Sequence, residues 1–206
     1  MTSTVESAGI ARALSKQGLE WLDAPLTGPT ARAAAGKLTA ITSGSREAFV
    51  RTRALLDVFA EKIYYMGNRP GAAQLMHQIN GALFSTLYAA TCESFTTGVK
   101  AGLSPETMTK IMSIETGRNA ASAFIMPQEV ATRRFAYGKT IGQACRELEL
   151  LSDEASRLGV TTWVAEKTRL LYALAARQLK SGDDITKLVT LYEKWAGAEV
   201  RSAEPK

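Results

Sequence analysis

The 206-residue sequence predicts a mostly α protein: a small α/β lead-in over residues 1–68, an all-helical domain over 69–200 with one long central helix, and a tail at 201–206. Three observations carry this expectation. Strand-like runs, alternating or rich in β-branched and aromatic residues, are confined to the first third, at Leu19–Leu22, Leu38–Ser43 and Lys62–Met66. After Pro70-Gly71 the apolar period becomes that of a helix and stays so. Finally, 46% hydrophobic and 22% charged residues suffice for a core in a chain of this length.

Taken in order, Ser7–Gln17 reads as a short helix with Ile10 and Leu14 on one face and Gly18 as its stop. The Leu19–Leu22 strand is expected to end at Asp23-Ala24-Pro25, and Thr27–Gly36 reads as a loop. Leu38–Ser43 alternates apolar and polar residues and stops at Gly44. Ser45 caps a helix running to Glu61, and Lys62–Met66 stops at Gly67. Ala72–Ala101 is the long helix, apolar on several faces through Leu75, Ile79, Leu83, Leu87, Ala90 and Phe95. Such a helix belongs at the centre of a domain or in a subunit interface. Gly102 breaks it, and Ser104-Pro105 opens the next helix, which runs to Ser113 and a polar turn at Thr116–Asn119. Further helices are predicted at Ala123–Arg133, Lys139–Leu158, Thr162–Lys180 and Asp184–Ala196, punctuated by Gly159 and Gly182. The tail is expected to fray.

Composition narrows the function classes. The formal charge of +5 comes from Lys and Arg scattered along helices, without the basic stripe and stacking aromatics of a nucleic-acid surface. A positive excess still favours an anionic small substrate. No apolar run is long enough to span a bilayer and no signal-peptide core opens the chain, so a cytoplasmic protein is the expectation. Cys92 and Cys145 read as reduced thiols, and with His77 the only histidine no metal site is expected.

The segment Asp23-Ala24-Pro25-Leu26-Thr27-Gly28-Pro29, continuing to Gly36-Lys37-Leu38-Thr39, resembles the substrate-loop signature of the 3-hydroxyisobutyrate dehydrogenase family. The resemblance continues in order through Ile63–Gly67, the helix start at Pro70–Gly81, Ala101–Met108, Gly117-Arg118 and Gly182–Thr186. It implies a 6-phosphogluconate dehydrogenase-like helical domain following a dinucleotide-binding domain, of which residues 1–68 would be a remnant. It also implies NAD or NADP as cofactor, a small hydroxy- or keto-acid as substrate and a homodimer. The Thr27, Gly28, Pro29 loop would bind the acid, since a hydroxyl and backbone N–H groups suit a carboxylate. A tight turn explains the same residues equally well.

The resemblance implies a lysine near the start of the long helix and an amide one turn later. His77 and Gly81 stand there. His77 is the candidate acid–base residue, because imidazole titrates near neutral pH. A polar-pocket contact and an ordinary half-buried histidine remain open alternatives. Gly81 is the second candidate substrate contact, although it offers no side chain, so exchanging it for Asn would restore the family residue. A family Lys-Asp pair near the cofactor aligns with Arg146-Glu147; Arg146 is the candidate cofactor contact, a solvated face or salt bridge the alternative. No Gly-x-Gly-x-x-Gly occurs. The expectation is therefore that most of the nucleotide-binding domain, roughly 100 residues, is missing. A split gene, an excised segment, or a domain turned to association would each account for it. The isolated chain is expected to bind NAD(P) weakly or not at all and to be inactive without a separate nucleotide-binding half. The alternative is a non-catalytic dimerisation or small-acid-binding module.

Overall fold

The structure, a computed structural model, describes residues 1–202. Two compact units divide it: Met1–Asn80 with Leu150–Thr161, and Gly81–Glu149 with the chain from Thr162 onward. The α/β lead-in thus packs together with the first turns of the long helix and the last turns of a later one, rather than closing on itself at residue 68.

In the first unit, α1 (Thr4–Ser15) begins three residues earlier than predicted, because Ser3 and Glu6 close a reciprocal cap. Ser3 Oγ accepts from the Glu6 N–H at 3.1 Å, and the Glu6 carboxylate accepts from the Ser3 N–H at 2.7 Å. Four strands follow: β1 (Leu22–Asp23), β2 (Leu26–Thr27), β3 (Leu38–Gly44) and β4 (Ala60–Tyr65). β1 and β2 pair antiparallel with β3, Leu22 opposite Gly44 and Thr27 opposite Thr39, while β4 pairs with β3 in parallel. Asp23-Ala24-Pro25 therefore interrupts a strand instead of ending one. Pro25 lacks a donor, but its carbonyl still accepts from the Ile41 N–H at 3.0 Å and keeps the register. Gly44 is required where β1 meets β3: its φ is +133°, and a Cβ there would overlap the Trp21 carbonyl.

The segment predicted as a loop contains a short helix, α2 (Thr30–Ala34), an outcome of its alanines. α3 (Arg46–Leu56) starts on its Ser45 cap but stops five residues short of Glu61, since β4 already begins at Ala60 to pair with β3.

The helices of the second unit arise mainly where the period predicts them. α4 (Ala72–Lys100) enters it at Gly81, and α5 (Pro105–Met112) follows on its Ser104 cap. The predicted helix at Ala123–Arg133 is instead a π-helical segment over Ala121–Val130. Pro127 inside it cannot donate, and the wider register appears as the Ala131 N–H bonding to the Met126 carbonyl at 2.8 Å. α6 (Ile141–Leu158) opens on Thr140 and Gln143, which bond to each other's N–H groups. α7 (Trp163–Gln178), a 3₁₀ turn at Ile185–Lys187 and α8 (Leu188–Ala196) complete the unit. Of the tail, Ser202 is tied down, its N–H bonded to the Ala131 carbonyl at 2.9 Å; residues 203–206 lie outside the described ones.

Tyr88, Cys92, Phe95 and Tyr172 are fully buried in this unit's core, together with Ile185 and Leu188. Each phenol carries its hydroxyl to a backbone acceptor, Tyr88 to Thr186 at 2.7 Å and Tyr172 to Ser85 at 3.2 Å. Burial pushes both phenols and the Cys92 thiol well above their ordinary pKa. α4 is thus buried on one face. Its other face remains apolar and exposed, through Ile79, Leu83 and Leu87.

One buried carboxylate fastens α1 to α6 within the first unit. Glu154 accepts from Thr4 Oγ1 at 2.5 Å and from Arg157 at 2.5 and 3.0 Å. Arg157 first, and Thr4 after it, hold its pKa below the usual carboxylate range against the opposing effect of burial. Glu154→Ala is expected to cost about 1.5–3 kcal/mol in denaturant melts at neutral pH. Because the folded pKa is depressed, this stabilisation is complete above the unfolded value of about 4.3 and is lost as pH falls through the lower folded one. Melts in acid should therefore show the gap between wild type and variant closing below about pH 4.

Candidate functional site

A cleft of about 380 Å³ opens in the first unit. One side of its lining is the Trp21–Leu26 stretch, the interrupted strand; another is the α4 face carrying Gln74 and His77. These two are three residues apart, so they project from one side of the helix. Thr2 also lines the cleft. The Gln74 amide oxygen and the Thr2 hydroxyl are buried without a hydrogen-bond partner among the described residues. Buried polar atoms of that kind mark a place built for a polar group.

Asp23 holds the two sides in register. Its carboxylate is 1% exposed and accepts from Ser7 Oγ at 2.5 Å, the Gly71 N–H at 2.6 Å and Ser43 Oγ at 3.4 Å. Ser43 Oγ in turn accepts from the Ala73 N–H at 2.9 Å, and Trp21 donates its indole N–H to Ser7 Oγ at 3.2 Å. The first turn of α4 is therefore tied to β1 and β3 by its own backbone donors. His77 follows one and a half turns later on that anchored helix.

The sequence candidates fall in different places. His77 lines the cleft. Thr27, Gly28 and Pro29 follow the lining directly but are not part of it; Thr27 is half-buried in the ladder, and Gly28 and Pro29 are exposed. Gly28 sits at φ +145°, where a Cβ would press on Leu38 Cδ2 at 2.9 Å. Gly81 and Arg146 belong to the second unit. Gly81 is buried, and the volume a side chain would need holds the Glu147 carboxylate, so Gly81→Asn is not a simple restoration: Glu147 must move first. Glu147 is no solvated helix residue either, being 5% exposed and ion-paired with Lys139. The Arg146 side chain is 48% exposed, with its guanidinium 3.9 Å from Glu149. Sequence reasoning missed Gln74, whose spacing from His77 was the available signal. It also missed Lys139, for which pattern gave none.

A dinucleotide needs helix N-terminal N–H groups for its pyrophosphate. In this unit those donors face acids or hydroxyls of the chain itself: Glu6 and Ser3 at α1, Ser45 with Glu47 in the first turn of α3, and Asp23 with Ser43 at α4. The Ser3 and Ser45 hydroxyls and three carboxylates leave the starts of these helices ill-suited to a phosphate. The described residues of this unit do not fit a pyrophosphate site. Among the described residues no group of three His, Cys, Asp or Glu could hold a metal, and no helix is long and apolar enough to cross a membrane.

Residues 71–192 match the family model described as NAD-binding of NADP-dependent 3-hydroxyisobutyrate dehydrogenase. Residues 2–67 match the model of the NAD binding domain of 6-phosphogluconate dehydrogenase, so the lead-in is a matched part of that domain, and the expectation that most of it is missing is not supported. A 3-hydroxyisobutyrate dehydrogenase of Pseudomonas aeruginosa is 31% identical over 191 residues, covering 89% of this chain and 64% of the relative. A 2-(hydroxymethyl)glutarate dehydrogenase of Eubacterium barkeri is 26% identical, covering 98% and 66%. The crystal structure of a 3-hydroxyisobutyrate dehydrogenase from Salmonella typhimurium superposes with a TM-score of 0.82 at 25% identity, covering 92% and 66%. The chain thus spans slightly less than two-thirds of the length of these relatives. With more than half of its residues matched by the family's own model, the chain belongs to the 3-hydroxyisobutyrate dehydrogenase family.

Proposed function

We propose that this chain carries the acid-binding and proton-transfer part of an NAD(P)-dependent dehydrogenase that interconverts a small β-hydroxyacid and its aldehyde or keto acid. The observation that carries this reading is the cleft where the Trp21–Leu26 strand and His77 of α4 meet. His77 serves as the acid–base group and takes the proton of the substrate hydroxyl. Gln74 holds the oxygen beside it. Thr27, Gly28 and Pro29 bind the carboxylate end through a hydroxyl and the backbone of a turn that only glycine accommodates. Arg146 contacts an anionic group of the cofactor, and Gly81 is left out of the substrate contacts because its surroundings are filled by Glu147.

A complementing nucleotide-binding segment holds the cofactor's phosphates, because the starts of α1, α3 and α4 in the first unit are already occupied by the chain's own groups. The chain by itself is accordingly expected to bind NAD(H) and NADP(H) weakly and to turn over little.

A second reading is favoured by a separate observation. The exposed apolar face of α4 at Ile79, Leu83 and Leu87 suits a second copy of the chain, and a homodimer or acid-binding module needs no chemistry.

Two measurements test these readings. In a complemented, active preparation, His77→Ala should lower turnover about 10²- to 10⁴-fold and remove a limb of the pH–rate profile near neutrality, with substrate affinity little changed. An unaltered profile would remove His77 from the chemistry. For assembly, light scattering should give a dimer mass for the wild-type chain and a monomer for Leu83→Glu, since a charge buried without a partner is not tolerated. A wild-type monomer at about 100 μM, well above the Kd of a standard-sized interface, would rule out the homodimer.

A further inference from the structure

The second unit has a groove of its own, of about 610 Å³, that the proposed chemistry does not use. Glu93, Thr96, Thr97 and Lys100 line one wall, at the spacing of a single face of α4. Tyr192, Trp195 and Ala196 line the other wall from α8. The two rings meet edge to face with centroids 5.4 Å apart, and Trp195 is 50% exposed. The groove is polarised along its length. Glu93 stands at the Tyr192 end, where its charge adds to burial in pushing the phenol above its ordinary pKa, so the hydroxyl stays protonated. Lys100 stands at the other end, its ammonium 3.7 Å from where a side chain at Gly197 would begin.

Helix geometry keeps these two charges apart. Seven residues along α4 span about 10 Å, beyond the three- or four-residue spacing at which side chains pair. The residues between them at that spacing, Thr96 and Thr97, are uncharged. Neither Glu93 nor Lys100 is ion-paired with another described residue. Thr96 is only 4% exposed, and its hydroxyl is buried without a hydrogen-bond partner among the described residues. A helix threonine ordinarily bonds the carbonyl four residues back, as Thr86 and Thr91 do on the same helix. Two solvated charges need no explanation, but a buried, unsatisfied hydroxyl in the wall of a groove does.

We propose that this groove is a second binding site, for a zwitterion whose ammonium and carboxylate are separated by an apolar chain: an ω-amino acid. The ammonium lies beside Glu93 and the Tyr192 ring, where a carboxylate and an aromatic face both favour a cation. The apolar chain covers the aromatic wall, and the carboxylate accepts from the Lys100 ammonium. Thr96 offers a hydroxyl with no existing bond to break. A molecule with a single charge leaves the other end of the groove without its counter-charge. No residue of the cleft around His77 takes part, so the site does not depend on the hydroxyacid reading.

The test is calorimetric titration of the whole chain with 6-aminohexanoate, hexanoate and hexylamine, which share one carbon chain and differ in their charges. 6-Aminohexanoate should bind about fivefold more tightly than either single-charge relative, the upper size of one exposed ion pair. Glu93→Gln should remove its advantage over hexanoate and keep that over hexylamine, and Lys100→Met should do the reverse. Both side chains are exposed, so the variants keep the fold, which thermal melts check. No binding of 6-aminohexanoate at about 10 mM, ten times a millimolar Kd, overturns the proposal. So does equal affinity for the three molecules, or a preference that survives the substitution at its own end of the groove.

Discussion

The buried carboxylate of Asp23 is the constraint on which the first unit depends. It closes β1 beside the gap of an interrupted strand, and its acceptor sites are taken by a helix hydroxyl, a strand hydroxyl and the first backbone donor of α4. Burying an ionised carboxylate is costly unless its lone pairs are filled. Here they are filled by groups from α1, β3 and α4, so the electrostatic requirement of one residue fixes three elements. The interruption at Ala24-Pro25 and the placing of His77 on the anchored turns of α4 both follow from it. That is why the strand and the helix face can line one cleft although about fifty residues separate them in sequence.

Much of the architecture was legible because it is written in period and punctuation. The long helix α4, the Ser104-Pro105 start of α5 and the strand ahead of Gly44 were each signalled within a few residues of sequence. What failed was set by partners distant in the chain. β1 and β2 occur where β3 offers a ladder, not where Leu19 and Trp21 suggest a strand, and α3 gives way early because β4 must pair. The π register around Pro127 depends on which carbonyl the next donor can reach, something a 3.6-residue pattern does not encode. At the site, His77 could be read from its place on α4, and Gln74 from its spacing. Lys139 could not: its partner Glu147 lies eight residues on, and their meeting at Gly81 is a tertiary fact.

Gly81 also shows how a missing side chain can be misread. In sequence it looks like a contact that has been lost. In the structure the volume is in use, occupied by a carboxylate that carries its own counter-ion. Glycine here leaves room for a buried charge, and positions 81, 139 and 147 are packed together. A similar economy governs the helix starts of the first unit, whose own acids and hydroxyls already occupy donors that in a dinucleotide site would face phosphate.

The two thiols of the second unit differ in a way that makes them reporters of stability. Cys92 is sealed in the core beside Tyr88, and burial holds it in the unreactive protonated form. Cys145 is half-buried on α6, with its Sγ only 3.3 Å from the Tyr172 carbonyl. A thiol reagent therefore meets Cys145 through local loosening of the helix, but reaches Cys92 only when the core around Tyr88 and Phe95 comes apart. One alkylation time course on the unmodified protein thus resolves fraying from global opening, two events that a single melting curve merges.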